Sequence, residues 1–284
     1  MEELIRLKAR IESLDELQTL FSAMRAMAAA RVQEAQTALD GIRRYAAVVE
    51  GAISEAASFR AATPARLADV QLPLAGALVV IAAEHGFAGA FNRLLLQRVK
   101  AEIKAHEQLG IVGRRGASLA GEHGLKPAWT VPMTTHVAGV VETARRVASH
   151  LIDATSVRLV FAGYQSGGRF EVGLRQVIPI DPSLLEARPA QAPPLHHLDP
   201  QRLIERLIEE HLFADLVLAM MESLASENGA RLQVMKAADH NIDDKLADLT
   251  RRARNVRQNA ITGELLDVVT GAEAILQSFP NDFG

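Results

Sequence analysis

Proline is confined to the middle of this chain. Pro64 is the first, and apart from Pro280 no proline follows Pro200. Proline removes a backbone donor and clashes with the preceding turn, at a cost of about 3 kcal/mol inside a helix. The first sixty-odd residues and the segment from Gln201 to Phe279 are therefore each free to run as nearly one helix. Two long helices at opposite ends of one chain, with a globular insert between them, predict an antiparallel hairpin of helices, a rod or shaft. The expected division is 1–60 for the N-terminal helix, 70–195 for a central α/β domain and 200–284 for the C-terminal helix. The fold class expected is α/β plus a long antiparallel coiled coil, with a Rossmann-like central domain.

Composition bounds what such a chain can do. At 284 residues it is long enough for a rod plus one α/β domain. The formal net charge of -3 argues against generic nucleic-acid binding. With no cysteine, there is no disulfide, thiolate nucleophile or zinc–thiolate site. The N-terminus, Met1-Glu2-Glu3-Leu4-Ile5-Arg6, lacks the apolar core of a signal peptide. The longest apolar stretch, Leu72 to Ala83, contains Pro73 and falls short of the roughly 20 residues a spanning helix needs. The expectation is a soluble cytoplasmic protein that reaches a membrane only through a partner.

Apolar residues at Leu4, Leu7, Ile11, Leu14, Leu17, Phe21, Met24 and Ala28 form one helical stripe, which thins into Ala29, Ala30 and Ala35. Leu203, Leu207, Ile208, Leu212, Leu216 and Met220 begin a second stripe. Met235, Ala238, Ile242, Leu246, Leu249, Ala253, Val256 and Ala260 continue it. Steps of three and four averaging about 3.5 imply a left-handed supercoil. Gly229, Gly263 and Gly271 interrupt the second helix. Each marks either a tolerated site, at about 1 kcal/mol against alanine, or a close approach by another backbone. Arg251, Arg252, Arg254 and Arg257 form either a solvated face or a docking face for acidic loops.

In the middle, Gly76 to Ala83 reads as a buried strand, followed by a glycine turn from Glu84 to Ala90 and a helix from Phe91 to about Glu107. Leu109 to Gly113 reads as a second strand, with Arg114-Arg115-Gly116 opening the next turn. A helix from about Val137 to Asp153 leads to strand Val157–Phe161. Gln165-Ser166-Gly167-Gly168 is a hairpin signal before Arg169-Phe170-Glu171-Val172. Alternating strands and helices predict mainly parallel pairing plus one antiparallel hairpin. Asp181 to Pro200 reads as an extended connection. Gly86-x-x-Gly89 lacks both the dinucleotide fingerprint and a P-loop Lys-Ser/Thr, so its glycines read as a tight strand-to-helix turn. His196-His197 has no spaced partners. Asp239/Asp243 and His240/Asp244 have spacing that could chelate, but read as surface polar residues. No nucleophile–base pairing stands out, and no catalytic residue, cofactor or metal is expected.

Several segments carry a family resemblance. Leu224-Ala225-Ser226-Glu227-Asn228-Gly229-Ala230-Arg231, Met235-Lys236-Ala237-Ala238, Ala253 to Gln258 and Ile261-Thr262-Gly263-Glu264-Leu265 closely resemble the gamma subunit of F-type ATP synthases. Lys8 to Leu14 and Ala23 to Ala30 resemble that family's first helix. Glu84 to Asn92 is similar to a degenerate form of a family turn, and Val112-Gly113-Arg114-Arg115-Gly116 to another. The resemblance runs end to end in the same order.

It implies a rotor shaft standing inside a hexamer of alternating alpha and beta subunits. The α/β domain would touch the epsilon subunit and the c-ring in the membrane. Ion flow through the ring would then be coupled to ATP synthesis or hydrolysis. The implied location is the cytoplasmic face of the bacterial inner membrane, peripheral, with no homo-oligomer in the complex. By the same resemblance, Met24, Arg254, Arg257, Gln258, Thr262 and Glu264 are candidates for contacting a beta subunit. They would be coupling residues, not catalytic ones. Gly263 in place of the family's frequent Gln, and Phe87-Ala88-Gly89-Ala90 in its turn, are departures compatible with a divergent paralogue from an alternative, sodium-type ATPase. The coupling ion, proton or sodium, is chosen in the ring. The competing readings are a coiled-coil adaptor with an α/β head and a small-molecule-binding α/β protein with helical arms.

Overall fold

A computed structural model describes residues 2–58, 76–185 and 199–278. The His196-His197 pair, the proline-rich stretch 186–198 and the chain beyond residue 278 lie outside them. Helix α1 spans Glu2–Ser58 and helix α5 spans Pro200–Ser278, close to the limits set by the proline distribution. Asp199 opens α5: its carboxylate accepts from the Gln201 and Arg202 N–H groups at 3.2 and 3.4 Å. Pro200, at the first helical position, loses nothing by lacking a donor there.

Between the long helices run β1 (Gly76–Ile81), α2 (Phe91–Glu102), β2 (Glu107–Val112), α3 (Arg114–Ala120), β3 (Trp129–Val131), α4 (Val140–Ser149), β4 (Ser156–Gln165) and β5 (Arg169–Ile178). The sheet order is β3-β2-β1-β4-β5. All neighbours are parallel except the β4–β5 hairpin. The hairpin turns at Gly167 and Gly168, both at positive φ, as the glycine pair predicts. Glu107, read as the end of a helix, instead begins β2. The backbone is extended by Ile103, and a turn follows in which the Lys104 N–H donates to the Glu107 carboxylate and the Glu107 N–H to the Lys104 carbonyl. Strand β3 and helix α3 went unread, because the first is too short and the second too rich in glycine and arginine to show a period.

The contacts divide the chain into two units, residues 26–234 and the pair of segments 1–25 with 235–284. In the first, β1 is buried on both faces, which accounts for its unbroken apolar run. Val79 and Ile81 join one core with Leu39, Val49 and Ile53 of α1, Val140 and Val147 of α4, and Leu216 and Met220 of α5. Leu78 and Val80 join the other with Phe91, Leu95 and Val99 of α2 and Ala120 of α3.

Two polar devices fix the sheet. At its lower end the buried Arg158 of β4 reaches across β1 to Glu107 of β2, with Nε and Nη2 both 2.7 Å from the carboxylate. A Cβ at Gly76 would lie 2.8 Å from the Glu107 side chain, so β1 carries glycine where the bridge passes. At the upper end Glu84 accepts from the N–H groups of Arg114 at 3.0 Å and Met133 at 2.8 Å, and pairs with the Arg114 guanidinium. One carboxylate thus ties the ends of β1, β2 and β3. Burial pushes its pKa up. Hydrogen bonds from the Arg114 main chain and side chain and from Met133 outweigh that, and hold the group below its ordinary value of 4.5.

The other unit pairs residues 2–25 of α1 with 235–278 of α5. Within residues 2–25 the half-buried positions of α1 include Leu4, Leu7, Ile11, Leu14, Gln18, Phe21 and Arg25, a strict alternation of three and four, with Ser22 and Met24 half-buried beside them. Leu17, read as part of the seam, is 44% exposed. On α5 the matching series is Met235, Asp239, Ile242, Leu246, Leu249, Ala253, Val256, Ala260 and Gly263. Arg25 Nη1 lies 2.6 Å from Asp239 Oδ2, and Gln18 Nε2 donates to Asp243 Oδ1 at 2.5 Å. The later pairing partner moves backward along α5, so the helices are antiparallel. Extending the Arg25–Asp239 pairing sets Leu4 level with Ala260.

Two predictions follow from these contacts. Gly113, at φ +110, would place a Cβ 2.5 Å from the Ala82 carbonyl oxygen, whereas one at Gly263 would meet nothing within 4 Å. Gly113→Ala should destabilise the isolated chain by roughly 2–4 kcal/mol. Gly263→Ala should leave it unchanged or stabilise it by about 0.5–1 kcal/mol. Urea midpoints compare the two. Because the folded pKa of Glu84 is depressed, its contribution is present above the ordinary value of 4.5 and lost as pH falls through the folded value. Glu84→Gln should therefore cost about 1–3 kcal/mol at neutral pH, and the gap from the unaltered chain should shrink in acid.

Candidate functional site

In an open α/β sheet, ligands bind at the carboxyl ends of the strands, where the strand order reverses. Here that point lies at β1, with β2 on one side and β4 on the other. It is filled by α5. The Ala162 N–H of β4 donates to Ser223 Oγ at 3.0 Å, and Ser226 Oγ donates back to the Ala162 carbonyl at 2.9 Å. The Arg231 guanidinium donates to the Gly86 carbonyl at 3.3 Å, to Asn228 Oδ1 at 2.8 Å and to Glu227. Burial pushes the Glu227 pKa up, against the pull of Arg231 and a hydrogen bond from the Glu84 main chain. Among the described residues, no buried side-chain polar atom is left without a partner.

The glycine turn is thus bound by the chain's own helix. A Cβ at Gly89 would lie 3.1 Å from Val234, and Phe87 takes the left-handed φ of +62 with its ring exposed. The turn is structural, as its incomplete motif suggests. Gly229 is a close-approach site: its added Cβ would lie 3.0 Å from Gly168 Cα, so α5 crosses the β4–β5 turn glycine on glycine. Gly271, like Gly263, meets nothing within 4 Å.

A cleft of about 330 Å³ lies elsewhere, between α1, β5 and α5, with Arg43, Glu50, Arg175, Asp181, His211 and Asp215 among its walls. Its charges are largely spent on one another and on neighbours. Arg175 binds Asp215 at 3.0 Å, His211 lies 3.8 Å from the same carboxylate, and Arg43 binds Glu222 at 3.2 Å. Among the described residues no group of three or more His, Asp or Glu side chains could hold a metal ion. Asp239 pairs with Arg25 of α1, and Asp243 accepts from Gln18.

The sequence-derived candidates lie in the other unit. Arg254, Arg257, Gln258, Thr262 and Glu264 are all exposed on α5, while Met24 is half-buried on α1. Thr262 Oγ1 donates to the Gln258 carbonyl one turn back, at 3.0 Å. Arg254 and Arg257 have no ion-pair partner among the described residues, whereas Arg252 binds Asp248 at 2.9 Å. Helical spacing places Ile261, Leu265 and Val268 on the face of Arg257, and Leu265 and Val269 on that of Gln258 and Thr262. These apolar residues are 49–69% exposed, and every residue from Glu264 to Glu273 is exposed. The arrangement offers cations, amides and apolar groups along one helix face, and no group set for acid–base or nucleophilic chemistry. Gln18 and Arg25 were not singled out in the sequence, and Asp239 and Asp243, read there as surface polar residues, are their partners. The seven-residue spacing of Leu4, Ile11, Gln18 and Arg25 was the signal that could have found two of them.

The family model described as ATP synthase matches residues 3–275. The ATP synthase gamma chain of Paracoccus denitrificans is 31% identical, over 97% of this chain and all of that one. That of Rhizorhabdus wittichii is 30% identical over the same shares. Among solved structures, a chain of the Euglena gracilis mitochondrial ATP synthase, in its OSCP/F1/c-ring assembly, superposes with a TM-score of 0.70. It covers 100% of this chain and 98% of its own length at 12% identity. A chain of the Tetrahymena thermophila mitochondrial ATP synthase central stalk and c-ring gives 0.58 at 18% identity, covering 77% of this chain and 99% of its own. A match of this extent, with the motifs in order and the fold in common, assigns the chain to the gamma-chain family of ATP synthases.

Proposed function

We propose that this central-stalk chain is the torque-bearing shaft of an F-type ATP synthase, and that the outer end of α5 is its coupling surface toward the catalytic subunits. One observation carries the reading: α5 continues past the level of Leu4 with its apolar residues bare. Leu265, Leu266, Val268 and Val269 are each more than half exposed, with no neighbouring element over them among the described residues. A contiguous apolar helix face in water is unfavourable by about 25 cal/mol per Å², and is retained where a partner covers it. A ring of alternating alpha and beta subunits would supply that sheath.

Arg254 and Arg257, without ion-pair partners among the described residues, and the amide of Gln258 then face acidic and carbonyl groups of a beta-subunit loop. Thr262 and Glu264 continue that contact, whereas Met24, which the Arg25–Asp239 pairing sets level with His240, stands several helical turns away from it. A helix whose sides differ in charge and bulk presents different contacts at each rotational angle. It thereby biases each nucleotide site in turn, as linkage requires. The chain supplies no catalytic group, and the chemistry belongs to the subunits it turns.

The α/β domain would meet an epsilon subunit and the c-ring. Among the described residues no helix is long and apolar enough to cross a membrane, so attachment would run through that ring. Peripheral placement on the cytoplasmic face of a bacterial inner membrane fits this arrangement, with proton or sodium as the coupling ion.

Co-expression with the alpha, beta and epsilon subunits encoded beside it tests the reading. The purified complex should contain this chain inside the alpha–beta ring, and its steady ATP turnover should depend on it. Failure to co-purify with well-folded partners would favour the adaptor reading. Within the complex, Arg257→Ala should reduce coupled ATP synthesis by about tenfold, equivalent to one charge-assisted hydrogen bond of roughly 1.5 kcal/mol. The urea midpoint of the isolated chain should not move, and unchanged synthesis would remove Arg257 from the coupling surface.

A further inference from the structure

Two polar side chains of α1 stand where the seam would otherwise be apolar. Leu4, Ile11, Gln18 and Arg25 recur at intervals of seven, all on the half-buried face. The first two are apolar and the next two are not. Each polar member reaches a specific carboxylate on α5, Arg25 at Asp239 and Gln18 at Asp243. The Asp239 side chain is 16% exposed and lies in the α5 seam itself, in series with Leu246, Ala253 and Ala260.

The remaining seam discriminates poorly between registers. On α5 it is apolar throughout, Ile242, Leu246, Leu249, Ala253, Val256 and Ala260, opposite leucines, isoleucine and phenylalanine of α1. A slip of one heptad leaves apolar groups on apolar groups almost everywhere. At Arg25, however, it would set the guanidinium against Leu246 and strip Asp239 of its cation. A polar residue at a seam position specifies register by this means, at some cost in stability, because the wrong pairing leaves a charge without a partner.

We propose that Arg25 with Asp239, supported by Gln18 with Asp243, are positioning residues that lock the register and relative rotation of the two helices, so that twist applied to one is borne by both. The torque-bearing part rests on the shaft reading above, whereas the register lock stands on the helix pair alone.

The chain contains no cysteine, so introduced pairs report register without background. Phe21 lies between the two clasps and is level with Ile242 in the observed register. Phe21→Cys/Ile242→Cys should form a disulfide in the full chain, and Phe21→Cys/Leu249→Cys, which reports a one-heptad slip, should not. Adding Arg25→Asp or Asp239→Arg alone should shift the ratio of the two cross-links toward the slipped pair by on the order of tenfold. The exchange Arg25→Asp/Asp239→Arg should restore it. The neutral variant Asp239→Asn, measured in parallel, should shift the ratio in the same direction to a smaller extent, and serves if a charge reversal does not fold. In the assembled complex, ions pumped per ATP hydrolysed should fall in each single reversal and recover in the exchange. Cross-link ratios that ignore every substitution, or an exchange that fails to restore the observed pair, overturn the register lock. Restored register with pumping stoichiometry the same in all variants overturns its mechanical role. Failure of the chain to enter the complex would instead count against the shaft reading, and leaves the cross-link result standing.

Discussion

The fold depends on one substitution of roles: α5 occupies the crevice of a doubly wound sheet where a ligand would otherwise bind. A helix buried at such a point must satisfy the strand ends it covers. Ser223 and Ser226 bracket the Ala162 peptide, Arg231 takes the Gly86 carbonyl, and Glu227 takes the Glu84 main chain. Buried polar groups are costly unless each finds a partner, and among the described residues every buried side-chain polar atom does. The strand ends where ligands bind in open α/β sheets are therefore covered by a helix. An α/β domain of this form works as a socket. Its strand ends grip α5 through these directional bonds.

The same socket explains which glycines are obligatory. Gly168 and Gly229 meet backbone to backbone, and Gly113 and Gly116 let the β2–α3 turn lie on Ala82. A Cβ at Gly263 or Gly271 would meet nothing within 4 Å among the described residues, although in the sequence these glycines look no different from Gly229. Spacing along a helix tells where a glycine points, but not what stands there.

That contrast marks how far the sequence could be read. Helix limits followed from proline, because proline acts on the local backbone whatever surrounds it. Strand β1 and the Gly167-Gly168 turn were legible for the same reason: an unbroken apolar run and a positive-φ pair are local statements. Strand β3 was not, since three residues carry no period, and Trp129 packs over Gly110 through a contact no local pattern announces. The seam was read almost correctly. Following hydrophobicity selected Leu17 and Met24, but strict heptad geometry selects Gln18 and Arg25. The error came from treating the apolar pattern as the cause of the seam, when the partner helix decides which residues face it. The exposed candidates on α5 were legible only by resemblance, because an Arg cluster awaiting a partner and a solvated Arg cluster have the same sequence.

The two ends of α5 thus solve opposite problems. Between residues 211 and 231 the helix buries His211, Asp215, Ser223, Ser226, Glu227, Asn228 and Arg231, polar groups in a setting that penalises any mismatch. From Ile261 to Val269 it exposes Ile261, Leu265, Leu266, Val268 and Val269, apolar groups that water penalises only weakly and without direction. Directional bonds resist sliding and rotation, and apolar contact permits both. Polar fixation thus belongs where the sheet grips the helix, and the contact proposed beyond it combines apolar groups with the polar side chains of Arg254, Arg257, Gln258, Thr262 and Glu264. The distribution of buried polar and exposed apolar side chains along this one helix is, in that sense, the mechanical specification of a shaft.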